Sequence, residues 1–270
     1  MKIILARILC MVVLNGPAAA QQVRLCPSML QPGEELVYKV KWSVLRLGTI
    51  TVRAERASAD TNLFRLSMLI ESNPDLVFVK LREYNESWVD AATMMSKRFL
   101  GIHKSSGERV EIRCVYLEQD RRVVYSQFDL DTGKPLRSDT LENVPPHVEG
   151  PSLFYYARWQ SRSRQILSVP TVAGGETGST DLDFTLGREY VEIDALSEPV
   201  RTRKYQGVIH GKGGTSAGLS GEFTGWVSDD DAAVPLKAEM KVLLGSILLE
   251  LEQWSRPGWN PPVYIEVAKK

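Results

Sequence analysis

Three consecutive aspartates, Asp229-Asp230-Asp231, form the densest group of side chains that could bind a metal or transfer protons. Clustered carboxylates can hold calcium, but a calcium site needs several further oxygen ligands at set spacing. The following Ala232 and Ala233 offer no side-chain ligands. Because the triplet falls between two predicted strands and aspartate tolerates turn geometry, we interpret it as a solvated hairpin turn.

Neither histidine nor glycine spacing indicates a bound metal or nucleotide. His103, His147 and His210 lie far apart, and none has a second His or Cys at the spacing of a zinc site. The glycine-rich runs lack the Lys-Ser ending of a phosphate-binding loop. The sequence therefore predicts no metal and no cofactor.

One serine and several carboxylates are candidates for hydrolysis. Ser152 follows Gly150-Pro151, but it is more simply explained as the N-terminal cap of a helix, where serine is favoured. Glu83, Glu86 and Asp230 could serve a carboxylate-dependent envelope hydrolase, although nothing in the sequence brings them together. We predict no catalytic residues and keep the hydrolase as an alternative.

The first twenty residues have the layout of a secretory signal. Lys2 and Arg7 give a basic start, an apolar stretch runs from Ile8 to Leu14, and Ala18-Ala19-Ala20 gives a small-residue exit. The apolar stretch is shorter than the ~20 residues that a membrane-spanning helix needs. We expect residues 1–20 to be a cleaved signal peptide and residues 21–270 to be a single periplasmic β domain.

The charge and hydropathy of residues 21–270 argue against two classes of partner. Without Lys2 and Arg7 the chain carries 33 − 2 = 31 basic residues against 33 acidic ones, a balance that does not favour nucleic acid. The longest later apolar stretch, Val242 to Leu251, is interrupted by Glu250. We therefore expect a protein that does not span a membrane.

Two cysteines, Cys26 and Cys114, follow the predicted signal. In an oxidising compartment they could form a disulfide. Alternatively, Cys114 is an ordinary buried strand residue and Cys26 a separate thiol. The sequence leaves both alternatives open because it does not supply the Cα separation that a disulfide requires.

Alternation of apolar and polar residues predicts a succession of strands. Four alternate residues from Leu36 to Trp42 share one face, and the alternation resumes from Ile50 after Gly48, which we expect to supply a hairpin turn. The further predicted strands cover residues 64–70, 77–89, 94–103, 108–118, 121–130, 182–186, 189–195, 201–210, 221–228, 234–243 and 246–254. Strands in unbroken succession favour an antiparallel sheet.

One segment, from Ser152 to about Ser161, is predicted to be helical because Leu153, Tyr156 and Ala157 fall at helical spacing after Pro151. A central helix is compatible with one curling sheet or with two β halves that meet near residues 145–180. A long curled sheet must close or cover its concave face, and the helix can cover it. The predicted fold class is mainly β, a curled antiparallel sheet or barrel-like β fold with one central helix packed on it.

Three sequence blocks resemble a known bacterial family. They are GEELVYKVKWSVLRLGTITV at the start, GPSLFYYAR in the centre, and GEFTGWVSDDDAAVPLKAEMKVLLGSILLELEQW near the end. In this order, from about Pro32 to Trp254, they are similar to the exported proteins of domain of unknown function 3108. The resemblance implies export and an antiparallel β fold, and it carries no assigned activity and no catalytic residues.

Aromatic residues are spread over the strands and the helix and usually form core. In a curled sheet, however, an apolar face can remain partly unfilled and hold a lipid-like ligand. We expect Trp42 and Trp226 to be buried, and we predict a cavity lined by Trp42, Leu153, Tyr156, Ala157 and Trp226.

The leading hypothesis is a non-catalytic periplasmic protein that binds an apolar or lipid-like envelope molecule, with a role in envelope assembly or maintenance. Two alternatives remain: a protein-interaction module that pairs with an envelope protein through exposed strand edges, and the carboxylate-dependent hydrolase.

Export makes a direct prediction about the chain's end. Because the small residues that signal peptidase recognises end at Ala20, the protein isolated from the periplasm should begin at Gln21. N-terminal sequencing checks this, and a retained Met1 would contradict it.

Overall fold

A computed structural model describes residues 28–58, 62–76, 80–211, 219–242 and 245–262, with the side chains of residues 219 and 220 left out. The predicted signal peptide and Cys26 lie outside these residues. Among the described residues, no helix has the length and apolar character needed to cross a membrane.

The described chain forms fifteen strands and one helix, α1, which spans Gly150–Gln160. The strands are β1 Glu34–Trp42, β2 Leu45–Arg56, β3 Leu63–Ser72, β4 Leu81–Asp90, β5 Ser96–Ser105, β6 Arg109–Leu117, β7 Arg122–Asp129, β8 Pro135–Leu141, β9 Ile166–Ala173, β10 Glu176–Asp183, β11 Arg188–Val191, β12 Val200–His210, β13 Leu219–Ser228, β14 Pro235–Val242 and β15 Ser246–Ser255. They make one sheet in the order β8-β7-β6-β5-β4-β3-β2-β1-β15-β14-β13-β12-β10-β9, with β11 beside β12.

The two ends of this sheet approach each other, so the sheet is curled and barrel-like. Arg137 of β8 donates a hydrogen bond from Nη1 to the carbonyl of Gly174, in the turn between β9 and β10, over 3.1 Å. Val148 forms a parallel bridge to Thr171 of β9. The observed architecture confirms the predicted fold class, including the helix packed on the sheet.

The inner face of the sheet holds the main core. The fully buried apolar side chains of this face include Leu36, Val52, Phe64, Leu66 and Leu251, and α1 packs on them through Tyr155 and Phe154. A second, smaller apolar cluster lies where the sheet ends meet and consists of Cys114, Tyr116, Val123, Tyr125, Val144 and Val172.

A buried ionic cluster fixes the helix to the sheet. Glu34 of β1 accepts hydrogen bonds from Arg158 Nη1 at 2.5 Å and Nη2 at 3.0 Å, from Tyr155 Oη at 3.1 Å, and from Arg256 after β15. The side chains of Glu34 and Arg158 have no exposed area. Burial alone would raise the pKa of Glu34, but the charges and hydrogen bonds of Arg158 and Arg256 lower it below the ordinary value. The carboxylate therefore stays ionised in the core.

The first hairpin turns earlier than predicted. The turn is at Ser43 and Val44, between β1 and β2, and Ser43 adopts a positive φ of 55°. Gly48 lies inside β2 opposite Val40. A Cβ at Gly48 would lie 2.1 Å from the carbonyl oxygen of Glu71 on β3, so glycine is required here by close backbone approach rather than by a turn.

The prediction that Trp42 is buried is wrong. It is 41 % exposed, whereas Leu36 and Tyr38 on the same strand are buried. Alternation identifies which residues share a face, but Trp42 ends β1 beside the turn, where the strand has passed beyond the main core. Trp226 on β13 is buried, as expected.

Three strands near the centre of the chain differ from the prediction. β8 was not predicted because six of its seven residues are exposed, and its sequence PLRSDTL therefore shows no alternation. β9 contains Pro170 and lies in no predicted strand, and β10 begins at Glu176, six residues before the predicted strand 182–186. Proline is tolerated in β9 because this strand ends the sheet order.

The ionic cluster predicts a large effect of one substitution. Glu34→Gln would leave Arg158 and Arg256 buried beside a neutral group and should lower the free energy of unfolding by about 3–5 kcal/mol. The neighbouring Glu35→Gln is the control: Glu35 pairs with Arg53 at 2.5 Å, both side chains are at least 40 % exposed, and the cost should be below about 1 kcal/mol. Urea denaturation of both variants measures the difference. Equal urea midpoints for Glu34→Gln and Glu35→Gln would show that the buried ion pairs of Glu34 stabilise the fold no more than the exposed Glu35–Arg53 pair does.

Candidate ligand-binding cavity

The N-terminal end of α1 is built differently from the prediction. Glu149, not Ser152, is the N-cap, and Ser152 is the third helical residue. The Ser152 hydroxyl accepts a hydrogen bond from the Glu149 N–H and donates one to the Glu149 carbonyl, each over 2.7 Å. It also lies 2.9 Å from the Ser96 hydroxyl on β5. Ser152 thus anchors the start of the helix to β5, and it is engaged in structural hydrogen bonds.

A cavity of about 310 Å³ lies beside this helix end, between the main core and the smaller cluster. Its apolar walls come from β5, β6, α1, β9 and β12, through Phe99, Ile112, Leu153, Val172 and Ile209. Its outer residues Glu176, Thr177 and His210 are exposed. The cavity therefore opens to solvent between the β9–β10 turn and the end of β12.

The inner part of the cavity carries polar groups. Glu149, Thr171 and Thr180 line it and are buried. The Thr180 hydroxyl, on β10, has no hydrogen-bond partner among the described residues. Because an unsatisfied buried hydroxyl costs about 1–3 kcal/mol, a ligand atom or a water that pairs with Thr180 would be stabilised.

Glu149 is the most strongly perturbed carboxyl group in the cavity. Burial raises its pKa to about 8, although a hydrogen bond from the Ser96 side chain acts in the opposite direction. At neutral pH the group is therefore mainly a neutral carboxylic acid. Such a group can donate a hydrogen bond to a ligand oxygen, or release a proton to it.

Comparison with known protein families shows which family the chain belongs to. The family model described as Protein of unknown function (DUF3108) matches residues 37–252. The chain belongs to the DUF3108 family.

A solved structure has a fold similar to that of this DUF3108 protein. A β-barrel-like protein of the DUF1849 family from Brucella abortus superposes with a TM-score of 0.56 at 10% identity, covering 84% of this chain and 98% of that one. A protein with a YmcC-like fold from Bacteroides fragilis has a TM-score of 0.29 at 9% identity, covering 84% of this chain and 97% of that one. The first structure supports the barrel-like fold. The TM-score of the second is too low to add to that support. No curated protein matches this chain at a significant level.

The five residues predicted to line a cavity are not brought together. Leu153 lies in the cavity wall, whereas Tyr156 and Ala157 are buried in the main core. Trp226 also borders a separate surface recess beside β11 and donates a hydrogen bond to Glu189. Trp42, being exposed at the end of β1, is no part of a buried wall. Of the five residues, Leu153 alone lines this cavity, near the N-terminal end of α1.

The carboxylates considered for hydrolysis are also dispersed. Glu83 of β4 lines the cavity. Glu86, three residues further along β4, accepts a hydrogen bond from Tyr84, and the alternation of a strand places it on the face opposite to Glu83. Asp230 lies in the β13–β14 loop and accepts hydrogen bonds from the N–H groups of Ala232 and Ala233.

The aspartate triplet is less solvated than predicted. The side chain of Asp229 is only 6 % exposed because Arg188, Arg201 and Arg203 surround it. Asp231 alone keeps the exposure expected of a turn residue, and it pairs with Arg162 over 2.5 Å. Among the described residues, no group of three or more His, Cys, Asp or Glu side chains is placed to hold a metal ion.

Cys114 of β6 is a buried residue of the cavity lining. Burial raises the pKa of its thiol well above the ordinary value. The thiol is therefore protonated and a poor nucleophile at neutral pH. Its pairing with Cys26 stays a prediction because Cys26 lies outside the described residues.

Glu149 and Thr180 could not be recognised in the sequence as site residues. Glu149 precedes Gly150-Pro151 and looks like an ordinary loop carboxylate, while Thr180 lies just outside the predicted strand 182–186. The available signal was the Gly-Pro pair, which marks a helix start whose preceding residue is the N-cap.

The raised pKa of Glu149 predicts a pH-dependent cost to stability. Below its ordinary pKa of 4.5 the group is protonated in both states. As the pH rises from 4.5 towards 8, the unfolded state releases the proton while the folded state retains it, so stability falls by up to about 1.4 kcal/mol per pH unit. Glu149→Gln removes this contribution and should gain stability over the wild type by a few kcal/mol between pH 5 and pH 8.

Urea midpoints at pH 5 and pH 8 measure that difference. Glu198→Gln, which removes an exposed carboxylate, is the control and should keep the wild-type pH dependence. Parallel wild-type and Glu149→Gln curves would mean that Glu149 ionises normally in the folded protein.

Proposed function

We propose that this DUF3108 protein is a non-catalytic periplasmic protein that binds a small amphipathic molecule of the envelope, with a role in envelope assembly or maintenance. The observation that carries the proposal is the cavity at the start of α1, which combines apolar walls with a buried, unsatisfied hydroxyl at Thr180. The signal-like layout of residues 1–20 supports the periplasmic location.

The cavity volume limits the size of the ligand. An apolar cavity of about 150 Å³ is enough to enclose benzene, and typical ligand pockets start at about 300 Å³. At about 310 Å³ the cavity suits one short acyl chain or a small ring system. A phospholipid with two complete chains would not fit inside it.

The distribution of polar groups indicates how the ligand is oriented. Phe99, Ile112 and Leu153 offer contacts to an apolar body, while Glu149 and Thr180 offer hydrogen bonds. Since Glu149 is mainly protonated at neutral pH, both groups can donate to a ligand oxygen. The best complement is an apolar molecule with one accepting head group, such as a medium-chain carboxylate.

A hydrolase is the second candidate because Glu83 and Glu149 line the same cavity. Acid–base hydrolysis uses two carboxyl groups in one site, one of them with a raised pKa, as Glu149 has. The two functions differ in the fate of the ligand. A binding protein releases it unchanged, which mass spectrometry of the recovered ligand would show.

In the alternative function, a partner protein would pair with an exposed strand edge. The edge considered is that of β8, which ends the sheet order and is almost wholly exposed. Its edge carries the features that discourage pairing: it begins with Pro135, and its Arg137 side chain is directed to the carbonyls of the β9–β10 turn. We therefore favour cavity binding over pairing through this edge.

Binding is tested with N-phenyl-1-naphthylamine, a neutral apolar probe whose fluorescence rises in apolar surroundings. The wild type should give saturable fluorescence that medium-chain carboxylates displace. Each added methylene should improve displacement about fourfold, corresponding to ~0.8 kcal/mol, until the cavity is full. The chain length at which the gain stops measures the usable cavity.

Leu153→Trp should abolish probe binding because the larger side chain fills the cavity. Leu81→Trp is the matched control, since Leu81 is also half-buried but does not line the cavity. If the wild type shows no saturable fluorescence, or if the two folded variants bind the probe equally well, the cavity-binding proposal is wrong and the protein-interaction hypothesis is favoured.

A further inference from the structure

A second recess, separate from the cavity, lies at the C-terminal end of α1. It is a cleft of about 820 Å³ whose ten lining residues include Ser161, Asp229 and the arginines Arg162, Arg164, Arg188, Arg201 and Arg203. Five of these ten residues are arginines. They come from the segment after α1, from β11 and from β12, so the fold collects them from separate parts of the chain.

The acidic groups nearby do not balance these arginines. Asp229 accepts from Arg188, Arg201 and Arg203 at once, with distances of 2.7, 2.5 and 2.9 Å. One carboxylate therefore neutralises one of three guanidinium charges.

Counting every carboxylate of the neighbouring triplet leaves 5 − 3 = +2. The C-terminal end of α1 reduces this excess by only about half a charge. Arg164 is exposed and has no ion pair among the residues that the structure describes.

Two buried polar groups in the cleft lining also lack partners. Arg203 is 8 % exposed and its Nε–H has no acceptor among the described residues, although its other nitrogens bind Asp229 and the Asp230 carbonyl. The buried Ser161 hydroxyl is likewise without a partner there. A structural Arg–Asp network alone would not require these unused donors.

We propose that the arginine cleft binds a phosphate-bearing ligand. A phosphoryl group carries about −1.5 to −2 charges at neutral pH, which matches the residual charge of the cleft better than a single carboxylate does. Guanidinium groups bind phosphate oxygens through paired hydrogen bonds. The phosphate belongs either to a soluble phosphate ester or to a lipid head group, because both present the same oxygens.

This site is independent of the proposed cavity function. The cavity contacts the first turn of α1 and the cleft contacts its C-cap, Ser161. An eleven-residue helix separates them by about 16 Å. Loss of probe binding in the cavity would leave the cleft and its ligand unaffected.

Calorimetric titration with inorganic pyrophosphate tests the soluble form at fixed ionic strength. The wild type should bind saturably, and Arg164→Asn should weaken binding about tenfold because one charge-assisted contact is lost. Arg121→Asn is the matched control. Arg121 is exposed, has a positive φ of 52° against 54° for Arg164, and lies outside the cleft, and asparagine tolerates this conformation.

Sedimentation with phosphatidylglycerol vesicles, compared with phosphatidylcholine vesicles, tests the lipid form. Binding to the anionic vesicles that pyrophosphate displaces and Arg164→Asn weakens would assign the phosphate to a head group. Saturable pyrophosphate binding without vesicle binding would assign it to a soluble ester. Absence of binding in both experiments, or equal effects of Arg164→Asn and Arg121→Asn, would overturn the proposal.

Discussion

The carboxylate of Glu34 has no contact with solvent, and it stays ionised there because Arg158 and Arg256 surround it. These three residues come from β1, α1 and the segment after β15, and Arg158 also donates to the carbonyls of Ala232 and Ala233 beyond β13. Removing the partners of a buried charge costs several kcal/mol. The ion cluster therefore determines which four segments meet, and it fixes the C-terminal half of α1 over the sheet.

That constraint explains why there is a cavity. With Arg158 held by Glu34 and Ser152 held by Ser96, the helix cannot move along the sheet to fill the gap at its N-terminal end. The main core ends at Leu153, and the next apolar residues, Cys114 and Val172, belong to the smaller cluster at the meeting sheet ends. Packing normally removes such a gap. Here the polar residues Glu149 and Thr180 line it, and closer apolar packing would bury the Thr180 hydroxyl without giving it a hydrogen-bond partner.

The predictable part of the fold is what period-two alternation encodes. Most strands of the first half and the last four strands were predicted because one face meets the core and the other meets water. β8 is not predicted because both of its faces are exposed. The burial of Trp42 is wrongly predicted because alternation identifies the face of a strand but not the distance of a residue from the core. The candidate site was harder still. Glu149 acquires its raised pKa from burial by segments distant in sequence, and no local pattern predicts that burial.

The same reasoning applies to charge. The sequence has 33 basic and 33 acidic residues, and this balance does not favour nucleic acid as a partner. The fold nevertheless separates the charges, since most exposed pairs such as Arg53–Glu35 neutralise each other, while five arginines converge on one cleft. Arg201 and Arg203 alternate along β12 and project to one face, where Arg188 of β11 pairs in register with Arg203. Net charge is a sum over the chain, whereas binding responds to the local excess, so a chain with no net charge can present a strongly cationic cleft.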